Sequence, residues 1–274
     1  LGGQSPADFV VNNHQDGGGV EVSADQEEAQ IVLAAGDIWS TALVRAESDG
    51  GSDAIATIDI DAKGDVTIEN EVEALADGDG INDAVASINV EAGGSVYVRS
   101  EPEQPAELYA DADDGANNSA TVDVVAGEDV QVRARHDARI EADASDGETA
   151  QANINIEAGG KVVARADDGG DAEIDAEAWD AANNTATVDI SAGEYVKVKG
   201  VGEDSDVDIE ADARYGSVSN TASLTVTATG IEGNESDRNG DILIIGEDGG
   251  DAEMEARADG GEAQTAVNVA DVSL

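Results

Sequence analysis

One phrase of alternating apolar and polar residues recurs along this chain and restricts the folds open to it. Residues 54–68 read AIATIDIDAKGDVTI, and residues 84–98 read AVASINVEAGGSVYV. The phrase returns around Val122, Ile154 and Val188, at intervals of about thirty residues. A repeat of this length that alternates with period 2 is typical of stacked short strands and not of an ordinary globular core.

Each repeat contains three short apolar segments. The first holds an anchor residue that we expect to be buried; the anchors are Ile31, Ile58, Ile88, Val122, Ile154, Val188, Leu224 and Val267. A second segment of the V-x-V type begins eight residues later, as at Val66 and Ile68, and a third reads small-x-apolar-x-Ala, as in residues 106–110. The centre of the third segment precedes the next anchor by 14 or 15 residues, so we expect the length variation between the second and third segments.

This pattern predicts an all-β parallel β-solenoid, or β-helix, of about eight rungs with three short strands per turn. We expect a single domain over 1–274, with partial rungs at 1–24 and 262–274 and a long loop insertion at 229–250. The Ala-Gly pairs that follow the first strand, such as Ala126-Gly127 and Ala158-Gly159, are expected to supply positive φ at a corner. A β-sandwich or barrel is the main alternative, but it does not require the same side-chain class at the same place in every repeat.

The phrase A-x-φ-x-φ-x-A-G-x-x-V-x-V, in which φ is an apolar residue, resembles the β-helical repeat proteins of microbial surfaces. That class includes filamentous-haemagglutinin-like adhesins and self-stacking surface fibres, and the resemblance covers about residues 20–270. It implies adhesion, fibre formation or encasement of cells. No catalytic residue carries over from it.

The chain is strongly acidic. It has 62 Asp and Glu residues against 13 Lys and Arg residues, a formal charge of −49. Phosphate binding needs a cationic surface, so nucleic acid is not an expected partner. No stretch is long and apolar enough to span a membrane, and cysteine is absent. No organic cofactor is indicated.

The acidic residues are also predicted to stack. On the outer side of the third strand we expect one column of Glu73, Glu107, Glu173, Asp208 and Glu253, interrupted by Arg139. A second column holds Glu141, Asp175, Glu210 and Glu255, and a third holds Asp77, Asp111, Asp143, Glu177 and Asp212. Like charges about 4.8 Å apart repel by roughly 0.9 kcal/mol even in bulk water. Cations are therefore expected to be part of the working structure.

Two kinds of cation uptake remain open. The first is Ca²⁺ at Asp-rich corners, because crowded carboxylates in a turn suit this ion; the candidate ligands are Asp77, Asp79, Asp83, Asp111, Asp113, Asp114, Asp167, Asp168, Asp171, Asp248 and Asp251. The second is diffuse screening by salt, since scarce lysine with abundant Asp is typical of proteins from halophilic organisms. Asp and Gly are also common turn residues without any ion.

Four basic residues are predicted to stack in one column, which we call the basic stripe. It consists of the residue after each V-x-V pair, namely Arg99, Arg133, Arg165 and Lys199. The stripe either balances nearby carboxylates or docks against an acidic face of another molecule.

The ends of the chain suggest self-assembly. The C-terminal segment supplies a first strand and the N-terminal segment a second and a third, so two copies stacked head to tail would complete a rung. Such a contact, which does not close, generates a filament. The residues expected at the assembly interface are Phe9, Val10, Val11, Val20, Val22, Val267, Val269 and Val272.

Three sequons, at Asn117, Asn183 and Asn234, favour a glycosylated protein outside the cell or on its surface. Taken together, the sequence predicts a non-enzymatic subunit of an extracellular filament or sheath. Its partner is another copy of itself, with glycans or neighbouring filaments as further partners.

Two other functions stay open. One is a surface adhesin or a binding β-helix, the latter an ice-binding or carbohydrate-binding module that uses an outward Thr and Ser column. The other is a polysaccharide-degrading enzyme, although aromatic platforms are scarce. Of the two tryptophans, Trp39 is expected in the core and Trp179 at a corner; His14 and His136 are expected to be exposed.

Overall fold

The computed structural model describes residues 9–11, 20–25, 28–50, 53–100, 104–202, 205–230, 240–247, 251–260 and 267–274. In this part of the chain every regular element is a strand, and the strands form three eight-stranded parallel sheets. We label the sheets A, B and C. Successive strands of the chain belong to A, then B, then C, so each turn of the coil contributes one strand to each sheet. The predicted parallel β-solenoid with three strands per turn is confirmed, and eight strands per sheet match the expected number of rungs.

Sheet A holds the V-x-V segments. Its strands are β1 (Phe9–Val11), β4 (Ile38–Ser40), β7 (Val66–Ile68), β10 (Val96–Arg99), β13 (Val130–Ala134), β16 (Val162–Ala166), β19 (Val196–Val201) and β22 (Ile242–Glu247).

Sheet B holds the third segments of the repeats. Its strands are β2 (Val20–Asp25), β5 (Val44–Asp49), β8 (Val72–Asp77), β11 (Ala106–Asp113), β14 (Ala138–Ser145), β17 (Ala172–Trp179), β20 (Val207–Arg214) and β23 (Glu253–Asp259).

Sheet C holds the anchors. Its strands are β3 (Glu28–Ala35), β6 (Ala54–Ala62), β9 (Ala84–Ala92), β12 (Asn117–Ala126), β15 (Thr149–Ala158), β18 (Asn183–Ala192), β21 (Ser219–Ala228) and β24 (Val267–Ser273).

The core is a column of small and β-branched side chains enclosed by the three sheets. Ile58, Ile88, Val122, Ile154 and Val188 pair in one unbroken register and are buried. Burying one such side chain contributes about 1.5–3 kcal/mol. Because the side-chain period of a strand is 2, the alternate residues of each strand face outward and carry the charge.

The glycines after the first strand of each turn do not serve the predicted purpose. Gly127 and Gly159 are not among the residues with positive φ. Instead, a Cβ on Gly159 would overlap the Gly127 carbonyl oxygen, and a Cβ on Gly127 would overlap that of Gly93. Glycine is needed here because successive rungs approach each other closely at the corner between sheets C and A.

Three further expectations are wrong. The last anchor is Val272, which pairs with Leu224, while Val267 pairs with Ser219. The segment 229–250 is not one loop, because β22 lies within it, and the added length precedes this sheet A strand. Trp39 is 41 % exposed on the outer face of β4, because its neighbours Ile38 and Ser40 take the inward positions.

Candidate functional site

The outer face of sheet B presents the most concentrated charge in the described part of the chain. Its second predicted column is confirmed: Glu141, Asp175, Glu210 and Glu255 pair in sequence from β14 to β23. Neighbouring strands of a sheet lie about 4.8 Å apart, so these carboxylates form a continuous ladder.

The two other columns are right except at the rung of β8. There the register is shifted by two residues, because Val72, and not Ala74, pairs with Leu108. Glu73 therefore lies beside Tyr109 and leaves the first column. Asp77 lies beside Asp113 and leaves the third, where Leu75 takes its place.

Burial changes the acidity of these ladders. It raises the pKa of Glu107, Glu141 and Glu173 from 4.5 to about 7, with repulsion from neighbouring acids adding to the effect. Burial likewise raises the pKa of Asp143 from 3.8 to about 7 and that of Asp111 to about 6. Burial and nearby acids make the ionised form of such a carboxyl costly. A proton on the carboxyl, or a metal ion beside it, reduces that cost.

Arg139 interrupts the first column, as predicted. Its Nε lies 2.7 Å from Glu173 Oε2 and its Nη2 lies 3.3 Å from Asp171 Oδ2. It lowers the pKa of Glu107 and of Glu173, although desolvation outweighs this effect at both carboxyls. One guanidinium thus serves several acids and cannot neutralise the whole face.

A second acidic group lies at the corner between sheets B and C. Ligand atoms of Asp113, Asp114 and Asp146 lie within 4.8 Å of one another. Asp114 and Asp146 both have left-handed backbone, with φ of 53° and 63°. The sequence named Asp113 and Asp114 as Ca²⁺ ligands. It missed Asp146, which the coil brings in from the next rung.

Other predicted Ca²⁺ ligands lie apart from this corner cluster. Asp111 is within β11 on the face of sheet B. Asp79 accepts hydrogen bonds from the backbone N–H groups of Ile81 and Asn82, which lowers its pKa. Asp83 accepts one from Asn117.

At the corner between sheets A and B, the predicted ligands are paired with arginines. Asp167 pairs with Arg165, Asp168 with Arg135 and Asp171 with Arg139. Asp251 is exposed, and Asp248 lies outside the described residues.

The basic stripe is a column in sheet A. Arg99, Arg133, Arg165 and Lys199 pair from rung to rung. The Arg99 guanidinium lies 4.8 Å from the ring centroid of Tyr97, and Lys199 Nζ lies 2.7 Å from Glu247 Oε1. Part of the stripe therefore balances local charge.

Two of the sequons occupy equivalent places. Asn117 and Asn183 each pair with Thr149, which lies on the rung between them, at the start of their strands. Asn117 is exposed. Asn117 Nδ2, the atom that a glycan would modify, donates to Asp83 Oδ1 at 2.7 Å. Asn234 lies outside the described residues.

Buried asparagines fix the corner between sheets B and C, a feature that the sequence reading missed. Asn118 donates to the carbonyls of Gly115 and Ser145 and accepts from the Gly115 N–H. Asn220 makes the equivalent pair of bonds with Gly216. An asparagine at an inward position of the alternation, as at Asn118, Asn184 and Asn220, was the available signal.

The described end rungs are open on one side. Strands β22, β23 and β24 each have one neighbour in the described part of the chain, as do β1, β2 and β3. Val272 occupies an inward position yet is 45 % exposed, and Val269 is 51 % exposed. The other predicted interface residues lie on β1, β2 and β24, and their side chains are outside the described set.

The remaining candidate residues do not form a catalytic group among the described residues. Trp179 donates from Nε1 to Asp143 Oδ1 at 2.8 Å and is half-buried at its corner. His136 is exposed, as expected, and His14 lies outside the described residues. The outward Thr and Ser column of sheet C is interrupted by Asn153.

No family model, curated protein or solved structure matches this chain. The described residues include no helix with the length and apolar character needed to cross a membrane.

Proposed function

We propose that this chain is a structural subunit of an extracellular filament or sheath, which polymerises head to tail by strand stacking. The observation that carries the proposal is the open rung formed by β22, β23 and β24, on which the inward Val272 remains 45 % exposed. A further rung would cover this apolar surface and pair three strand edges at once. Open edges of this kind are templates for pairing with another chain.

A second copy is the occupant that suits this end best. Every described strand pair is parallel, and each sheet keeps its own order of strands through the coil. The rung of β1, β2 and β3 in another copy presents the same three sheets, with the same direction and spacing. Stacking it on β22, β23 and β24 continues all three sheets, and repetition gives a linear polymer.

Cations belong to the proposal because the faces of such a filament are acidic. The convergence of Asp113, Asp114 and Asp146 supports Ca²⁺ at the corner between sheets B and C. Ca²⁺ accepts flexible sets of oxygen ligands, and carboxylates on separate rungs provide them. Glycans on Asn117 and Asn183 would lie on one edge of the filament.

Negative-stain electron microscopy tests the polymer. We expect filaments of uniform width for the wild type, and their loss in Val272→Lys, because a lysine on the open end opposes strand addition. The matched control is Ile81→Lys, which adds the same charge at a loop residue that is 77 % exposed. Filaments that persist in Val272→Lys, or a wild type that stays monomeric in every salt, would refute head-to-tail stacking and favour an adhesin.

Imaging with and without EDTA, at low and high NaCl, tests the cations. Loss of filaments in EDTA alone indicates a divalent ion in the structure. Loss at low NaCl, whether or not EDTA is present, indicates general screening of the charge.

A further inference from the structure

Asp175 has carboxylates on four sides. Glu141 and Glu210 pair with it on the rungs before and after, about 4.8 Å away along the coil. Glu173 and Glu177 lie two residues away on the same strand and face outward with it. We call these five residues the carboxylate cross. Its centre is the short side chain and its arms are the longer glutamates.

One oxygen at the centre of the cross has no partner among the described residues. The Oδ1 atom of Asp175 is buried and has no hydrogen-bond partner in the part of the chain that the structure describes. Burial first, and then repulsion from Glu177, Glu210 and Glu141, raises its pKa well above the ordinary value. A buried acceptor without a donor carries a large desolvation cost, which a proton, a water molecule or an ion beside it would remove.

Other acidic columns of the chain relieve the same repulsion internally. On sheet C, aspartates alternate with asparagines: Asn89 Nδ2 donates to Asp59 at 2.8 Å and Asn155 Nδ2 donates to Asp123 at 3.0 Å. On sheet B, the buried Asp212 has Arg214 Nε at 2.8 Å. None of the described residues places a donor at the centre of the cross, although Glu173 pairs with Arg139 and Glu177 with Arg214 at its margins.

We propose that the carboxylate cross binds one Ca²⁺ ion, with Asp175 as the floor and the four glutamates as walls. The donors are all carboxylate oxygens, which suit a hard cation. They come from three rungs and flexible side chains, so the site fits the six to eight adaptable ligands of Ca²⁺ better than the strict octahedron of Mg²⁺. The site would add a specific ion to the acidic faces of the proposed filament, and its role there rests on the proposed function. Ca²⁺ binding itself does not require the polymer.

Calorimetric titration of the full chain with CaCl₂ at pH 8, after EDTA treatment and dialysis, tests the site. The variant is Asp175→Asn, which keeps the shape and removes the central charge. The matched control is Asp189→Asn, an exposed residue on sheet C. We expect Asp175→Asn to bind one Ca²⁺ fewer than the wild type and to lose part of its Ca²⁺-dependent rise in melting temperature. The control should lose neither, and MgCl₂ should bind more weakly at the site.

Equal stoichiometry and equal thermal shifts in the two variants would overturn the proposal. So would NaCl of matched ionic strength reproducing the whole shift of the wild type, because the face would then be screened and not occupied. A circular dichroism spectrum like that of the wild type confirms that Asp175→Asn folds, and Asp146→Asn reports separately on the corner cluster. The titration is repeated in Val272→Lys, the variant that is expected to lose filaments. The carboxylate cross must still bind Ca²⁺ in that variant, so failure of this site and failure of the filament proposal can be told apart.

Discussion

The acid ladders of sheet B predict that the metal-free protein loses stability as the pH rises from about 4.5 to 7. Burial raises the pKa of Glu107, Glu141 and Glu173 from 4.5 to about 7 in the folded chain. Between these values the folded state holds protons that the unfolded chain has released. The free energy of unfolding therefore falls as pH rises, and this loss is complete only above the folded pKa.

The magnitude follows from the number of protons involved. Each extra proton held by the folded state contributes a slope of about 1.4 kcal/mol per pH unit. The three glutamates repel one another and are only partly buried, so solvent screening reduces their combined effect. We therefore expect a net loss of about 1–2 kcal/mol per pH unit in this range.

Urea denaturation followed by circular dichroism, in EDTA and low salt at half-unit steps of pH, measures this slope. Urea is used because it is uncharged and does not screen the ladders. Glu141→Gln removes one titrating group and should flatten the profile, whereas Glu157→Gln, at an exposed site on sheet C, should not. A free energy of unfolding that is constant or rises from pH 4.5 to 7 would show that the folded chain holds no extra protons in this range.

Three other predictions concern single side chains. Asn118→Ala should lower the free energy of unfolding by about 1–3 kcal/mol, because it leaves buried backbone groups at the corner unpaired; urea denaturation measures this, with the exposed Asn117→Ala as control. Gly159→Ala should cost about 1–3 kcal/mol, since its Cβ overlaps the Gly127 carbonyl; faster amide exchange should be confined to the corner between sheets C and A, and unchanged exchange would contradict the close-approach argument. Arg139→Gln should extend the loss of stability to higher pH, because the guanidinium lowers the pKa of the two glutamates beside it; a profile like that of the wild type would show that the ion pair is too well solvated to matter.

Much of the acidic face was predictable from spacing alone. The column of Glu141, Asp175 and Glu210 follows from the nearly fixed distance of 14 or 15 residues between the third segment and the next anchor. The rung of β8 departs from this spacing by two residues. A shift of two residues keeps every side chain on its own face of the sheet. The sequence pattern cannot detect such a shift, although it changes which charges become neighbours: Glu73 meets Tyr109 and Arg45 in place of Glu107.

The corner cluster shows a different limit. Asp113 and Asp114 stand out in a run of acidic residues, but Asp146 lies 32 residues further on and joins them only because the coil returns to the same corner after one turn. Trp39 shows the reverse error, since a large apolar side chain suggests burial while the phase of its strand turns it outward.

The class of fold follows from the sequence alone, because period-2 alternation repeated at a nearly fixed interval is compatible with stacked parallel strands and little else. The sequence also determined the sign and concentration of the charge on the outer faces. The tertiary structure decided the register within each sheet, and with it the identity of the neighbours of every carboxylate. It also placed Asp175 among four acids with one carboxyl oxygen buried, because burial and pairing between rungs depend on contacts some thirty residues apart, which local alternation does not encode.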